Sequence, residues 1–239
     1  MMEDISLKDK KHFVTAIILA GGSGSRMNLG VTKQRLLIEG ESVLRRSVRA
    51  FNECESIDSI VIVCKSGECE FAKSETEDFE KVLSIVVGGE TRAESAKCGF
   101  SSVSEETEFV AIHDAARCLI TPGMIDRVVK ASIKYGAATA ARKMTDSIKR
   151  VGCDGCICSS VPRDDLYAAE TPQVFKKADY ALGLENVSFD SSLTDDNMIV
   201  ENIGKKIFCV ECGGENIKIT KSDDISYAEF IIKRRRGDV

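Results

Sequence analysis

Ala16-Ile-Ile-Leu-Ala-Gly-Gly-Ser-Gly-Ser-Arg-Met-Asn-Leu-Gly-Val-Thr-Lys-Gln34 decides how the chain is read: an apolar, strand-like run passes directly into glycines and then into two separated cations. Gly21, Gly22 and Gly24 let the backbone turn through positive φ and approach an anion closely, so that N–H groups line a phosphate-sized concavity. Arg26 and Lys33 add positive charge, and the whole pattern suits a nucleoside triphosphate. The plainer alternative is a tight turn after a first strand. Two commoner glycine loops fail on the residues. A dinucleotide fingerprint needs a small third position and an acidic residue closing the second strand, yet Ser25-Arg26-Met27 follows Gly24 and the second strand ends near Cys64-Lys65. A Walker-type loop needs Gly-Lys-Ser/Thr, which does not follow Gly21.

Outward from this stretch, strand-like and helical patterns alternate. Val14 to Ala20, Ile57 to Cys64, Val82 to Val87, Phe109 to His113 and Ala137 to Ala141 read as strands. Ser42 to Phe51, Glu68 to Glu80, Thr91 to Val103 and Pro122 to Tyr135 read as helices, the last with proline in its first turn. The rhythm predicts an α/β fold: an open, mainly parallel Rossmann-like sheet with helices on both faces. Ligands of such sheets sit at the carboxyl ends of strands, where the glycine loop and His113-Asp114 both fall. Between Met144 and Arg163 the rhythm breaks. Ser147 to Val151, a turn at Gly152 to Gly155, and Ile157 to Val161 predict a protruding β-hairpin arm with no helix to cover it. Isolated hairpins are marginal in water, so the arm implies pairing with a second copy. Further on, Ser192 or Thr194 is placed to cap a helix running to Asn202, Ser222 to cap another through Phe230, and Lys218 to lie in a short alternating strand.

The 239 residues, 43% of them apolar, suit one large domain. With 33 Lys and Arg against 38 Asp and Glu the net charge is −5, which argues against nucleic acid and leaves room for a small anion at a local cationic site. No apolar run approaches the ~18 residues of a membrane span, and the start lacks an apolar signal core; the expected location is cytoplasmic, with no membrane partner. Ten scattered cysteines read as reduced thiols. Cys153, Cys156 and Cys158, with Cys209 and Cys212, have zinc-like spacing, but the first group fits a hairpin turn equally well and the second lies much further along the chain.

Taken together, Leu19-Ala-Gly-Gly-x-Gly-x-Arg-Met, Thr32-Lys-Gln, Gly88-Gly-x-x-Arg-x-x-Ser95, His113-Asp-Ala-Ala-Arg117, Thr171-Pro-Gln, Thr194-Asp-Asp and Asn216-Ile-Lys-Ile-Thr220 resemble, over nearly the whole chain, the 2-C-methyl-D-erythritol 4-phosphate cytidylyltransferases of non-mevalonate isoprenoid synthesis. The related ribitol 5-phosphate cytidylyltransferases share most of these motifs; Leu-Ala-Gly-Gly leans toward them and His-Asp-Ala-Ala-Arg toward the methylerythritol enzymes. A non-catalytic nucleotide-binding regulator is a third reading, against which the joint presence of the cations counts.

The resemblance implies a Mg²⁺-dependent nucleotidyltransferase in which an acceptor phosphate attacks the α-phosphorus of CTP. It makes residues 1–239 one domain, with 144–163 as a dimerisation arm of a homodimer. Arg26, Lys33, Arg163 and Lys218 are then the catalytic cations. Ala20, Gly21, Gly22, Gly24, Gly89, Glu90, Arg92, Ser95, Asp114 and Ala115 surround CTP, and Asp114 holds Mg²⁺. Arg117, Ser147, Thr171, Thr194 and Asp195 receive the sugar-alcohol phosphate, with Ser147 and Arg163 contributed by the partner's arm. Three positions depart from the family pattern: Thr32 and Cys118 stand where proline is usual, and Ser147 where threonine is usual. The first two imply a looser loop, and Cys118 beside basic residues implies a thiol of lowered pKa.

Overall fold

The computed structural model describes residues 12–22, 32–189 and 193–238. From the amino end the elements are β1 (Val14–Ala20), the short pair β2 (Leu37–Ile38) and β3 (Glu41–Ser42), α1 (Val43–Asn52), β4 (Ser59–Cys64), α2 (Cys69–Thr76), β5 (Val82–Val87), α3 (Arg92–Phe100), β6 (Phe109–Asp114), α4 (Pro122–Tyr135) and β7 (Ala137–Lys143). There follow β8 (Ile148–Val151), β9 (Ile157–Val161), β10 (Tyr167–Lys176), α5 (Lys177–Asn186), α6 (Asn197–Glu201), β11 (Phe208–Glu211) and α7 (Asp223–Arg236). Seven strands form one sheet in the order β11-β7-β10-β6-β1-β4-β5. Only β10 runs against its neighbours. The expected open, mainly parallel sheet is therefore present.

β1, β4 and β6 are buried on both faces, which is why they read as unbroken apolar runs. Alternation divides β1 between two cores. Val14, Ala16 and Ile18 pack with Leu44, Val48 and Phe51 of α1 and Ile125 and Val128 of α4, while Ile17 and Leu19 face Ala96 of α3, Tyr180 of α5 and Ile199 of α6. Several starts follow their side chains: Ser42 accepts from Arg45 N, Thr91 and Glu94 form a capping box, and Thr121 accepts from Met124 N ahead of Pro122.

Three local expectations are corrected. Thr194 does not cap α6; its hydroxyl turns to Met198 Sδ, and Asp195 Oδ1 receives Met198 N instead, while Ser192 lies outside the described residues. Ser222 already has helical angles and cannot cap α7; Asp224 Oδ2 takes the Thr220 and Lys221 amides, and the helix runs past Phe230 to Arg236 before Gly237 turns left-handed. Lys218 lies in no strand. Its segment is irregular and is joined to the sheet edge through Ile219 N donating to Ala116 O at 2.8 Å.

The hairpin arm forms as its sequence predicts, β8 pairing with β9 in a separate two-stranded sheet. Ile157 and Val151 are more than half exposed. Besides the two-residue strands β2 and β3, the elements β10, α5 and β11 escaped the pattern. β10 carries Pro172 and a polar centre, which demote a strand on sequence grounds, and its register with β7 slips between Ala169 and Gln173. α5 carries Gly183 in its interior, where a Cβ would come within 2.5 Å of Ile199 O. β11 has only four residues.

Gly99 lets α3 lie directly on the sheet, since a Cβ there would come within 2.4 Å of Ile17 Cγ2 and 2.7 Å of Val63 Cγ2. Gly99→Ala is therefore expected to cost about 1–3 kcal/mol through overpacking. A thermal melt reads this as a fall of several degrees, and an unchanged melting temperature would show that the contact is not tight.

Candidate active site

Parallel registers pair Ala20 with Cys64, Cys64 with Val87 and Leu19 with Asp114, so β1, β4, β5 and β6 end along one edge. β1 has β4 on one side and β6 on the other, the arrangement in which successive connections leave in opposite directions and open a crevice. A cavity of about 630 Å³ occupies that crevice, with Gly21, Gly22, Lys33, Gly89, Glu90, Arg92, Ser95, Asp114 and Lys218 in its wall.

Asp114 is its electrostatic centre. Arg92 Nε donates to Oδ1 at 2.9 Å and Lys218 Nζ to Oδ2 at 2.7 Å. Burial alone would raise the Asp114 pKa, but Arg92 and Lys218 outweigh it and hold the carboxyl well below its usual range. Arg92 also donates to Asp196 Oδ2 at 2.6 Å. Burial would depress this guanidinium, and the charges of Asp196 and Asp114 overcome that and raise it. Asp114 is thus a permanent acceptor, neither acid nor base at neutral pH.

The backbone places these groups. Asp114 N donates to Thr171 Oγ1 at 3.0 Å, and that hydroxyl lies 3.0 Å from His113 Nδ1. His113 is fully buried outside the cavity wall, and burial pushes its pKa down to about 3, so the ring is neutral. Lys218 is carried by a clamped segment: Asn216 Nδ2 donates to Glu170 Oε2 at 3.0 Å and to Thr171 O at 2.9 Å, while Arg117 NH1 donates to Asn216 O at 2.8 Å. Lys33 Nζ reaches Ile219 O of the same segment at 3.1 Å. Ser95 donates to Thr91 O at 2.9 Å and lies 3.3 Å from Gly89 O, bracing the turn. Cβ atoms at Gly88 and Gly89 would come within 2.5 Å of Ser95 Oγ and 2.4 Å of Glu94 Cβ, so this turn tolerates only glycine.

The structure therefore gathers Gly21, Gly22, Lys33, Gly89, Glu90, Arg92, Ser95, Asp114 and Lys218 in one wall. Ala20 and Ala115 are buried beside it, Ala115 N donating to Leu19 O at 3.0 Å. Gly24 and Arg26 lie outside the described residues. Arg117, Thr171 and Asp195 do not line the cavity and engage in internal hydrogen bonds, Thr171 accepting from the Asp114 amide and Asp195 from Gln173 and Asn197. Thr194 is exposed. Ser147 and Arg163 are exposed on the arm, Arg163 NH1 bonding Thr145 O, and neither lines the cavity of its own chain. Sequence reading passed over Asp196, Glu170 and Asn216. The pair Asp195-Asp196 was visible in the Thr194-Asp-Asp motif, but nothing linear tells which carboxylate meets Arg92.

The cysteine expectations separate. Cys118 is buried, and burial pushes its thiol up to about 12 rather than down, against the expected lowered value. Cys153, Cys156 and Cys158 are exposed at the arm, Cys209 lies on β11 and Cys212 is buried behind Ala141. Among the described residues, no three His, Cys, Asp or Glu side chains converge as metal ligands.

The chain is similar to known proteins along nearly its whole length. The sequence profile of the 2-C-methyl-D-erythritol 4-phosphate cytidylyltransferase family matches residues 14–234. A protein of that description from Pelotomaculum thermopropionicum is 36% identical over 229 residues, 94% of this chain and 96% of that protein. Another, from Caldanaerobacter subterraneus subsp. tengcongensis, is 37% identical over 225 residues, 92% and 99% of the two chains. The crystal structure of 4-diphosphocytidyl-2C-methyl-D-erythritol synthase from Anaerococcus prevotii superposes with a TM-score of 0.83 at 26% identity, covering 93% of this chain and 97% of that one.

His113 generates a pH signature. Its folded pKa lies below the ordinary value of about 6.5, so between those pH values the unfolded chain binds the extra proton and stability rises with pH. The contribution is complete above about pH 6.5 and fades toward about pH 3, with a slope near 1.4 kcal/mol per pH unit for one proton. Denaturant titrations of wild type and His113→Asn at several pH values should diverge with that slope; parallel curves would show that His113 takes up its proton as readily in the fold as in the unfolded chain.

Proposed function

The chain belongs to the 2-C-methyl-D-erythritol 4-phosphate cytidylyltransferase family, and from that membership we infer that it transfers CMP from CTP to 2-C-methyl-D-erythritol 4-phosphate. The products are 4-diphosphocytidyl-2-C-methyl-D-erythritol and pyrophosphate. The observation that carries the reading is the Lys218–Asp114–Arg92 assembly in a cavity at the strand ends, beside the glycine turn and Lys33.

The chemistry asks for little proton transfer. A phosphomonoester has its second pKa near ~6, so the attacking oxygen is already anionic at neutral pH. His113, neutral and outside the cavity wall, is not required as a base. What the reaction requires is cancellation of charge as an anion attacks the α-phosphorus and a crowded centre gathers negative oxygen. Lys33 and Lys218 are held by the Ile219 carbonyl and the Asp114 carboxylate, so the cations are in place before substrates arrive. Arg26 joins them by resemblance, with Gly21, Gly22 and Gly24 receiving the phosphates. Ala20, Gly89, Glu90 and Ser95 receive the cytosine, whose exocyclic amino group seeks an acceptor where uracil needs a donor.

Asp114 also fits a metal shared with the nucleotide. Each of its oxygens accepts one hydrogen bond and keeps lone pairs, it is permanently ionised, and Mg²⁺ is content with one carboxylate when phosphates and water complete its shell. Mg²⁺ brought by the triphosphate supplies further charge cancellation on the phosphate oxygens. The two neighbouring cations already balance Asp114, so the residues suit a metal that enters with CTP rather than a resident one.

For the acceptor, the reading uses Arg117, Thr171, Thr194 and Asp195, together with Ser147 and Arg163 from a second copy. The exposed apolar side chains of β8 and β9 support an arm exchanged in a homodimer of single-domain chains.

Pyrophosphate release from CTP and Mg²⁺, with 2-C-methyl-D-erythritol 4-phosphate and ribitol 5-phosphate in parallel, tests the reading. Activity with the first alone is expected. Activity with the second alone would move the chain to the related family, and silence with both would sustain a binding role only. Lys33→Ala and Arg26→Ala should each lower turnover on the order of 10²-fold or more. Mixing Arg26-defective with Arg163-defective chains should restore part of the activity, whereas complete failure despite subunit exchange would remove the shared site.

A further inference from the structure

Behind the cavity lies a carboxylate to which the reading above gives no task. Asp196 is 1% exposed, yet it is a full anion's worth of side chain placed against Arg92, with Oδ2 2.6 Å from Arg92 NH1. Its other oxygen accepts from Tyr180, a fully buried phenol on α5, at 2.8 Å. Its amide is held as well, donating to Gln173 Oε1 of β10 at 2.9 Å. A buried carboxylate so completely partnered keeps one position. The tyrosine hydroxyl holds the carboxylate and the glutamine holds the backbone that carries it, and the guanidinium it grips is fixed with it.

Charges along this line alternate: Lys218, Asp114, Arg92, Asp196, then a neutral donor in Tyr180. Arg92 spends Nε on Asp114 and one NH1 hydrogen on Asp196. The other three of its five N–H groups have no protein partner among the described residues, and Arg92 lines the cavity beside the Gly88-Gly89 turn. If Asp196 lost its charge, Arg92 would be drawn toward Asp114, sharing Oδ2 with Lys218, because a guanidinium prefers to meet a carboxylate through two parallel bonds.

We propose that Asp196, braced by Tyr180, is a positioning residue that splits Arg92 between two carboxylates and so presents its remaining N–H groups to the phosphates of the incoming nucleoside triphosphate. The inference rests on the transferase reading for the identity of the nucleotide, and it acts through Arg92 alone.

The test is a double-mutant cycle on CTP affinity, read by calorimetry with Mg²⁺ present and no acceptor, using wild type, Asp196→Asn, Arg92→Lys and the double variant, with thermal melts alongside. Asp196→Asn should weaken CTP binding about 10-fold in the wild-type background and less than twofold in the Arg92→Lys background. A merely structural aspartate would cost the same factor in both backgrounds, and that result overturns the proposal, as does wild-type affinity in a natively melting Asp196→Asn. Should Asp196→Asn fail to fold, Tyr180→Phe replaces it in the cycle, with a loss of about threefold that vanishes in Arg92→Lys; equal losses again overturn the role. Turnover is assayed separately. Coupled CTP binding without transfer to either acceptor would sustain the role of Asp196 while ending the transferase reading, and a wild type that does not bind CTP would end both.

Discussion

One carboxylate held between two cations organises the molecule around its cavity. Asp114 closes β6, Arg92 opens α3, and Lys218 belongs to an irregular segment more than 100 residues later in the chain, yet the three meet within hydrogen-bond distance. Removing Arg92 or Lys218 leaves the nearly buried Asp114 carboxylate short of compensation, a cost that solvent screens on the Lys218 side, where the lysine is part-exposed. Helix, strand and irregular segment are therefore tied to one another by charge at a place where apolar packing gives out. The balance is local, since Asp196 supplies the second negative charge that keeps Arg92 and Lys218 from repelling each other unopposed.

The sheet makes this meeting possible. Parallel strands in register end together, and their ends carry backbone groups that no ladder bond uses, so polar side chains and ligands collect there. The antiparallel β10 adds what a purely parallel sheet would lack. Its slipped register beside β7 comes where Glu170 and Thr171 turn to buried partners: Thr171 receives the Asp114 amide, and Glu170 anchors Asn216. An irregularity in the ladder thus supports the regular strand beside it.

The arrangement favours fixed charge over proton traffic. His113 is neutral and buried, Asp114 is ionised throughout the physiological range, and Lys33 and Lys218 of the cavity wall are held by a carbonyl and a carboxylate. Dipoles and charges that are already oriented need no reorganisation when negative charge develops beside them. Cys118 belongs to the same logic. It packs with Leu119 and Ile219 beneath the segment that carries Lys218, and its raised pKa keeps it an inert packing group.

The linear sequence alone determined the elements with strong periodicity or clear stop signals: the buried strands, the helices begun by Ser42, Thr91 and Thr121, and the hairpin from Ile148 to Val161. It also marked most of the cavity wall, since glycines, lysines and aspartate at strand ends form patterns of local origin. It misread the elements whose conformation is imposed from outside. β10 contains a proline that a neighbouring ladder accommodates, and α7 is begun by Asp224 reaching back rather than by Ser222 reaching forward. Roles within motifs were likewise out of reach. Whether Asp195 or Asp196 grips Arg92 depends on which side chain a distant segment brings opposite. Periodicity and capping act over a few residues and are written in the chain. Pairing of buried charges is settled only once the whole sheet has closed around them, because only then does the loss of water make each partner necessary.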